Sequence, residues 1–379
     1  MINLSPEESV LILTCRPDLD SDRQGLLRDL CHGPLEWAFI LWRAETYQTI
    51  CLLEYHIVQN NLESSLPAWT WTYIRNWSSL SRARSVEQFR ELPNIISVFR
   101  ARNIDYVLMK GIALSVLAYP DPLLRPMQDI DVMVRAKDVW RAQKALYQAG
   151  YRHGVFNPQD GRFTHLFRTI TSRSLQFKHA LHSLTKVIVR PTPVPPEQIP
   201  YSWRKRQIKS FSNADGTILL PIFLDVHFNL SVGLDVADVW RGVAERSVLG
   251  HLVPVQSPTT ILWFTCARLY SEAFQHCTLK LQMFGDVDAL LRRFQNEIDW
   301  AELLLIGNKY ELTPALFYVL EQARRLLGSP VPERVTSLLK PNSLGIPLAN
   351  DWGDVIPRLL SRSVIADFRF SQPGHLKEA

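Results

Sequence analysis

The stretch from Tyr106 to Gly150 constrains the fold of this 379-residue chain more than any other. Its first part, Tyr106 to Met109, is a short apolar run typical of a buried strand. That run ends at Lys110 and Gly111, and the next residues, Ile112 to Tyr119, have helical apolar spacing until a proline stops them. The pattern therefore predicts a strand, a Lys-Gly turn and a helix in direct succession.

The second part of this stretch carries two carboxylates two residues apart. Asp129 to Val134 is a second predicted strand, and in a strand this spacing puts Asp129 and Asp131 on one face. Two like charges side by side repel, and a divalent cation such as Mg²⁺ commonly lies between them. The spacing alone is a weak signal, because the chain holds four Asp-x-Asp pairs. Only this pair lies on an apolar strand, so we interpret it as a metal site.

A third carboxylate lies in the run from Thr217 to Leu230, where apolar and polar residues alternate. Alternation puts Asp225 and His227 on one strand face. An unpaired carboxylate in an apolar setting is costly, which favours a metal-binding role for Asp225 over a charge exposed at the end of a strand. His227 would orient an acceptor or act as a base, and a surface histidine is the alternative.

These motifs together resemble a known family. Lys110-Gly111, then Arg125-Pro126-Met127-Gln128-Asp129-Ile130-Asp131, and later Asp225-Val226-His227, are similar to a bacterial nucleotidyltransferase family of the DNA polymerase β superfamily, whose members are mostly uncharacterised. Better-known members have Gly-Ser after the first strand and a shorter gap to the aspartates. The resemblance implies an α+β fold with a polymerase β-like nucleotidyltransferase core, a small mixed sheet with helices, flanked by helical regions at both ends.

The resemblance also implies a reaction, the transfer of a nucleoside monophosphate from an NTP to an unidentified acceptor hydroxyl or phosphate. Two Mg²⁺ ions, or Mn²⁺, would assist it. Asp129 and Asp131 would bind the cation of the incoming nucleotide, and Asp225 would complete the second site. Two alternatives remain open. One is a degenerate fold used for interaction or nucleotide sensing, against which the three intact aspartates argue, and the other is transfer of a different group, such as a sugar.

The Lys-Gly turn and an upstream arginine are the candidates for phosphate binding. Gly111 lets the backbone approach a phosphate, and the helix that follows favours an anion at its N-terminus. Lys110 would add a point charge, and Arg125 would clamp the phosphates bidentately. The alternatives are an exposed turn residue for Lys110 and, for Arg125, a salt bridge to one of the aspartates.

Composition limits the class of protein. The chain is 46% apolar and 21% charged, as in soluble globular proteins, and no apolar run approaches the roughly 18 residues of a membrane span. The N-terminus carries Glu7 and Glu8 and no basic start, unlike a signal peptide. The five cysteines form no C-x-x-C pair, which is typical of thiols in a reducing cytoplasm. We therefore expect a cytoplasmic protein.

The positive charge is concentrated in residues 162–209, which hold ten Lys and Arg residues and one acid, Glu197. This segment either holds a phosphorylated or nucleic-acid acceptor or is a solvated insertion. We favour the insertion, because nucleic-acid modules interleave aromatics with their charges and here the aromatics are scattered. Nucleic acid is therefore not expected as a partner.

The expected domain order follows from these patterns and from helix signals. We predict an N-terminal helical region over 1–95, the core over 96–235 with a basic Pro-containing insertion at about 162–215, a C-terminal helical region over 236–340 and an irregular tail over 341–379. Within this plan, Ser85 is expected to cap a helix that Pro93 breaks or kinks. Ser257-Pro258 and Asp299 are expected to begin helices, and Gly328 to end one.

Overall fold

The computed structural model describes residues 4–166, 179–200, 203, 211–230, 234–248, 250–275 and 281–341. Much of the basic segment, including Arg204-Lys205-Arg206, and almost all of the expected tail lie outside these residues. The described chain divides into two compact units, one made of residues 4–75, 118–120 and 258–341 and the other of residues 76–117 and 121–257. No described helix is both long enough and apolar enough to cross a membrane.

The first unit is helical. Its helices are Pro6–Thr14, Ser21–His32, Trp37–Thr46, Ile50–Gln59, the start of Ala68–Arg100, Pro258–Gln275, Leu281–Arg293, Trp300–Lys309, Thr313–Leu327 and Glu333–Leu339. The expected punctuation is confirmed at three of them. One helix begins at Pro258, another begins after Asp299, whose side chain accepts from two backbone amides, and a third ends at Gly328 in the left-handed conformation.

The long helix Ala68–Arg100 does not begin at Ser85, as expected, and does not break at Pro93. Ser85 is buried inside it and does not cap it, and Pro93 lies in its interior without ending it. The apolar residues Leu92, Ile95 and Ile96 on both sides of this proline are buried, so packing offsets the missing hydrogen bond. The expected boundary at residue 95 therefore lies within one continuous helix.

Among the described residues, the second unit is built on a nine-stranded mixed sheet. Its strands are β1 Tyr106–Leu108, β2 Ile130–Val134, β3 Arg152–Phe156, β4 Phe163–His165, β5 Leu184–Pro191, β6 Phe211–Ser212, β7 Thr217–His227, β8 Ala244–Val248 and β9 His251–Val255. The order is β4-β3-β5-β7-β2-β1-β9-β8, with β6 paired to β7. A mixed sheet with helices was expected, but this sheet is larger than the small one predicted.

Two parts of the sheet lie in segments that were assigned to the basic insertion and to the C-terminal helical region. β5 belongs to the expected basic insertion and pairs along its whole length with β7. β8 and β9 belong to the expected C-terminal helical region, and β9 pairs with β1. Residues 236–257 therefore complete the sheet, apart from the short helix Val236–Trp240.

The central strands bring the predicted site residues to one edge of the sheet. β2 runs antiparallel to β1 and parallel to β7, so the end of β1, the start of β2 and the end of β7 meet. All five residues of β2 are buried, as expected for a strand covered on both faces. The helix Lys110–Ala118 starts at this edge, directly after β1.

Candidate functional site

The predicted carboxylates Asp131 and Asp225 are direct neighbours on paired strands. The parallel register of β2 and β7 aligns Asp131 with Asp225 and Met133 with His227. Side chains aligned in this way project from the same face of a sheet. Asp131, Asp225 and His227 each offer one ligand atom, and these atoms lie within 4.8 Å of one another. Three residues selected from separate motifs are thus brought together as one potential metal-binding group.

Lys110 joins this group from the end of β1. Its Nζ lies 2.6 Å from Asp131 Oδ1 and 2.9 Å from His227 Nε2, and the last two atoms lie 2.9 Å apart. Lys110 has a φ of 53°, in the left-handed region that non-glycine residues rarely adopt. The sequence placed Lys110 correctly at a strand-to-helix turn, but its ion pair with Asp131 was not foreseen.

The surroundings of Asp131 strongly favour its charged form. Burial raises the pKa of this carboxyl, but the nearby Lys110 ammonium and the hydrogen bond with His227 outweigh burial and hold the pKa well below its usual range. Only 4% of the Asp131 side chain is exposed. The carboxylate is therefore ionised at neutral pH, which is the form that can bind a cation.

Asp225 differs from Asp131 because one of its carboxylate oxygens has no hydrogen-bond partner among the described residues. Asp225 Oδ1 is buried and accepts no hydrogen bond in the structure. A buried oxygen without a donor is costly and rare in folded proteins. A carboxylate oxygen of Asp225 lies within 4.8 Å of ligand atoms of Asp131 and His227, which is the arrangement expected of a cation site.

Asp129 lies just before β2 and is half-buried. It is not part of the Asp131–Asp225–His227 group. Burial lowers the pKa of the Arg84 guanidinium to about 10. The nearby Asp129 carboxylate has the opposite, smaller effect and raises that pKa. Arg84 also donates to both oxygens of Gln128, so the long helix anchors the segment before β2. No sequence signal singled out Arg84.

Arg125 and Gly111 are in direct contact. Arg125 Nη1 donates to the Gly111 carbonyl at 3.3 Å, and Arg125 is buried. A Cβ added to Gly111 would lie 2.9 Å from the same nitrogen, which is too close without a shift. Glycine at this turn therefore lets the guanidinium approach the backbone, and the two phosphate-binding candidates form one structure with the Lys110 turn.

Two further residues near the site were missed by sequence reasoning. The ring of His179 stacks on that of His227, with centroids 6.1 Å apart. Gln256 directly follows β9, is buried, and has neither amide atom hydrogen-bonded. Since Leu108 pairs with Val255, Gln256 lies beside the residue that precedes Lys110. No sequence motif surrounds Gln256, so nothing in the sequence pointed to it. The pairing register between β9 and β1 brings it to this position.

Three of the ten basic residues in the segment 162–209 lie among the described residues, and two of these three pair with acids of the long helix. Lys186 Nζ lies 3.0 Å from both carboxylate oxygens of Glu91, and Arg190 contacts the carboxylate of Glu87 through two nitrogens. Both acids lie on the long helix Ala68–Arg100. These pairs reduce the free positive charge that the segment offers to an acceptor.

Comparison with known proteins agrees with the motifs. The model of a family described as uncharacterised nucleotidyltransferase matches residues 33–328, well over half of the chain. Among solved structures, the chain is similar to the crystal structure of an antigenic nucleotidyltransferase-like protein from Paracoccidioides brasiliensis. The identity is 16% and the TM-score 0.29, with 63% of this chain and 92% of that one covered. No curated protein matches the chain.

Proposed function

The chain belongs to the family of uncharacterised nucleotidyltransferases, and on this premise we propose that it moves a nucleoside monophosphate from an NTP to an acceptor hydroxyl or phosphate. The observation that carries the proposal is the group Asp131, Asp225 and His227, with ligand atoms within 4.8 Å of one another. The buried Asp225 Oδ1, which has no protein donor, supports it further.

The donor set fits a hard divalent cation. Carboxylate oxygens are the ligands that Mg²⁺ and Mn²⁺ prefer, and an imidazole is compatible with Mn²⁺. We assign Asp131, Asp225 and His227 to this cation and place Asp129, just before β2, as a further carboxylate for the cation of the nucleotide. Divalent cations in such sites neutralise phosphate charge and lower the pKa of an attacking hydroxyl.

The chain's own residues would then position the two substrates. The Gly111 turn and the following helix N-terminus would receive the phosphates, and Arg125, which already contacts the Gly111 carbonyl, would lie beside them. The acceptor oxygen would form a bond to the α-phosphorus while the bond to the bridging oxygen of the β-phosphate breaks. Pyrophosphate would leave with that electron pair. Asp225 Oδ1 would accept the acceptor's proton, because no protein group donates to it.

The test uses the full chain with each of the four NTPs, labelled at the α-phosphate, and Mg²⁺. We expect pyrophosphate release and transfer of label to the protein or to an added acceptor pool. D225N should abolish both, and D105N should not, because Asp105 lies in an exposed pair 3.8 Å from Arg135. If label binds without pyrophosphate release, the chain is a nucleotide-sensing module. If pyrophosphate release persists in D225N, the assignment of the site is wrong.

A further inference from the structure

Three polar atoms, Lys110 Nζ, Asp131 Oδ1 and His227 Nε2, lie within hydrogen-bonding distance of one another. The three sides are 2.6 Å from Nζ to Oδ1, 2.9 Å from Nζ to Nε2, and 2.9 Å from Nε2 to Oδ1. An ammonium has only donors, an ionised carboxylate has only acceptors, and a neutral imidazole nitrogen can accept. Lys110 Nζ donates to Asp131 Oδ1, and His227 Nε2 either accepts from Lys110 or donates to Asp131 Oδ1, according to its tautomer. The ammonium therefore supplies the positive charge that a bound metal cation would supply beside these two side chains.

A divalent cation and this ammonium compete for the same atoms. Asp131 and His227 belong to the group that can hold a metal, and Lys110 Nζ contacts both of them. A divalent ion on Asp131 Oδ1 would lie within a few ångströms of the ammonium, where repulsion between like charges is strong in a partly buried site. The metal cation can therefore bind Asp131 and His227 only when the Lys110 ammonium has moved away from them.

The Lys110 side chain is able to move away from Asp131 and His227. It is the first residue of the helix Lys110–Ala118, and 16% of its side chain is exposed, against 4% for Asp131. Lysine carries its charge on a flexible stem of four carbons. A phosphate at the adjacent Gly111 turn would lie within reach of that stem and would accept its donors.

We propose that Lys110 is a built-in counter-ion that competes with the divalent cation for Asp131 and His227, and that phosphates of the nucleotide remove it from them. This inference rests on the proposed function and adds a regulatory step to it. The divalent cation binds weakly while the Lys110 ammonium contacts Asp131 and His227. It binds tightly when the ammonium contacts a phosphate instead. Because binding linkage is reciprocal, the cation in turn strengthens phosphate binding at the turn.

The experiment measures two affinities of the full chain, one for Mn²⁺ alone and one for the Mn²⁺ complex of inorganic triphosphate. The main variant is Lys110→Met, which keeps an apolar stem without the charge, and Lys110→Gln is a second variant with a polar end. Lys144→Met is the matched control, because Lys144 is exposed on the helix Val139–Gln148. Electron paramagnetic resonance of free Mn²⁺ and titration calorimetry provide the readouts, and thermal melts confirm folding.

We expect both Lys110 variants to bind Mn²⁺ alone at least about tenfold more tightly than the natural chain, because a like charge has been removed. They should bind the Mn²⁺–triphosphate complex more weakly, because the ammonium no longer meets the phosphates. The control should match the natural chain in both measurements. A general loss of structure would weaken both affinities and could not produce these opposite signs.

Three outcomes would overturn the inference. Unchanged or weaker Mn²⁺ affinity in both Lys110 variants, while D225N abolishes binding, would remove the counter-ion role and leave the proposed metal site intact. Tighter binding of both Mn²⁺ and its triphosphate complex would show that phosphate does not receive the ammonium. Absence of Mn²⁺ binding in every variant, with and without triphosphate, would overturn the proposed function together with this inference.

Discussion

Replacement of Asp131 or Asp225 by asparagine removes the same charge from neighbouring positions, but the two changes should affect stability very differently. Asp131 Oδ1 lies 2.6 Å from the Lys110 ammonium, and the two side chains are 4% and 16% exposed. Asp225 Oδ1 is buried and has no protein donor. D131N therefore breaks a buried ion pair, whereas D225N removes a charge that the protein does not compensate by a hydrogen bond at that oxygen.

The expected magnitudes follow from this difference. Removal of one partner of a fully buried ion pair costs about 3–5 kcal/mol, and the partial exposure of Lys110 lowers our expectation for D131N to about 2–4 kcal/mol. D225N should change the free energy of unfolding by less than about 1 kcal/mol or increase it, since a buried charge without a donor is unfavourable. For a unit of this size, 1 kcal/mol corresponds to about 2–4 °C, so D131N should lower the Tm by roughly 4–16 °C.

Differential scanning calorimetry in EDTA measures both changes, with D105N as the control for the loss of an exposed aspartate. Both site variants should also lose the stabilisation that added Mn²⁺ gives to the natural chain. An equal fall in Tm for D131N and D225N would mean that Asp225 has a structural partner, which would refute the argument from its unpaired oxygen. A neutral D131N would refute the ion pair itself.

Three further outcomes are expected from other positions. Gly111→Ala should lower the Tm by only a few degrees, because its Cβ would meet the movable end of Arg125, but titration calorimetry should show weaker NTP binding. Gln256→Met should leave the free energy of unfolding in urea unchanged or raise it by about 1–3 kcal/mol, since its buried amide has no partner. Burial lowers the pKa of His56, whose Nε2 contacts the Arg16 carbonyl at 2.7 Å, so the unfolded state takes up the proton first. Stability should therefore be fully present above about pH 6.5 and fall below it by at most about 1.4 kcal/mol per pH unit, a slope that His56→Gln should remove in denaturant titrations at several pH values.

Alternation along single strands was enough to predict Asp131 and Asp225 as site residues, because a period of two fixes which side chains share a face. Their adjacency was not encoded in either strand. It depends on the parallel register between β2 and β7, which are separated by more than eighty residues and aligned at Asp131 and Asp225. The roles of these residues stay proposals, and the structure supplies their proximity.

The long helix and the last two strands were mispredicted for physical reasons. A proline in a helix usually breaks it, but around Pro93 buried neighbours on both sides stabilise the continuous helix. The sequence of β8 is polar and largely exposed, and β9 contains Pro254, so neither shows the apolar alternation of a typical strand. Pairing with each other and with β1 defines them, and this information is not local.

Lys110 connects the stability of the second unit with its proposed chemistry. The carboxylates of Asp131 and Asp225 lie on adjacent strands, and without a positive neighbour their repulsion and burial would oppose folding. The Lys110 ammonium offsets this cost at Asp131, but the same contact occupies the carboxylate oxygen that a divalent cation needs as a ligand. A side chain that stabilises the protein in this way must weaken its affinity for the cation, and only a ligand that takes the ammonium away can restore that affinity. Phosphate at the Gly111 turn is such a ligand, so cation and nucleotide are expected to bind together and each to bind poorly alone.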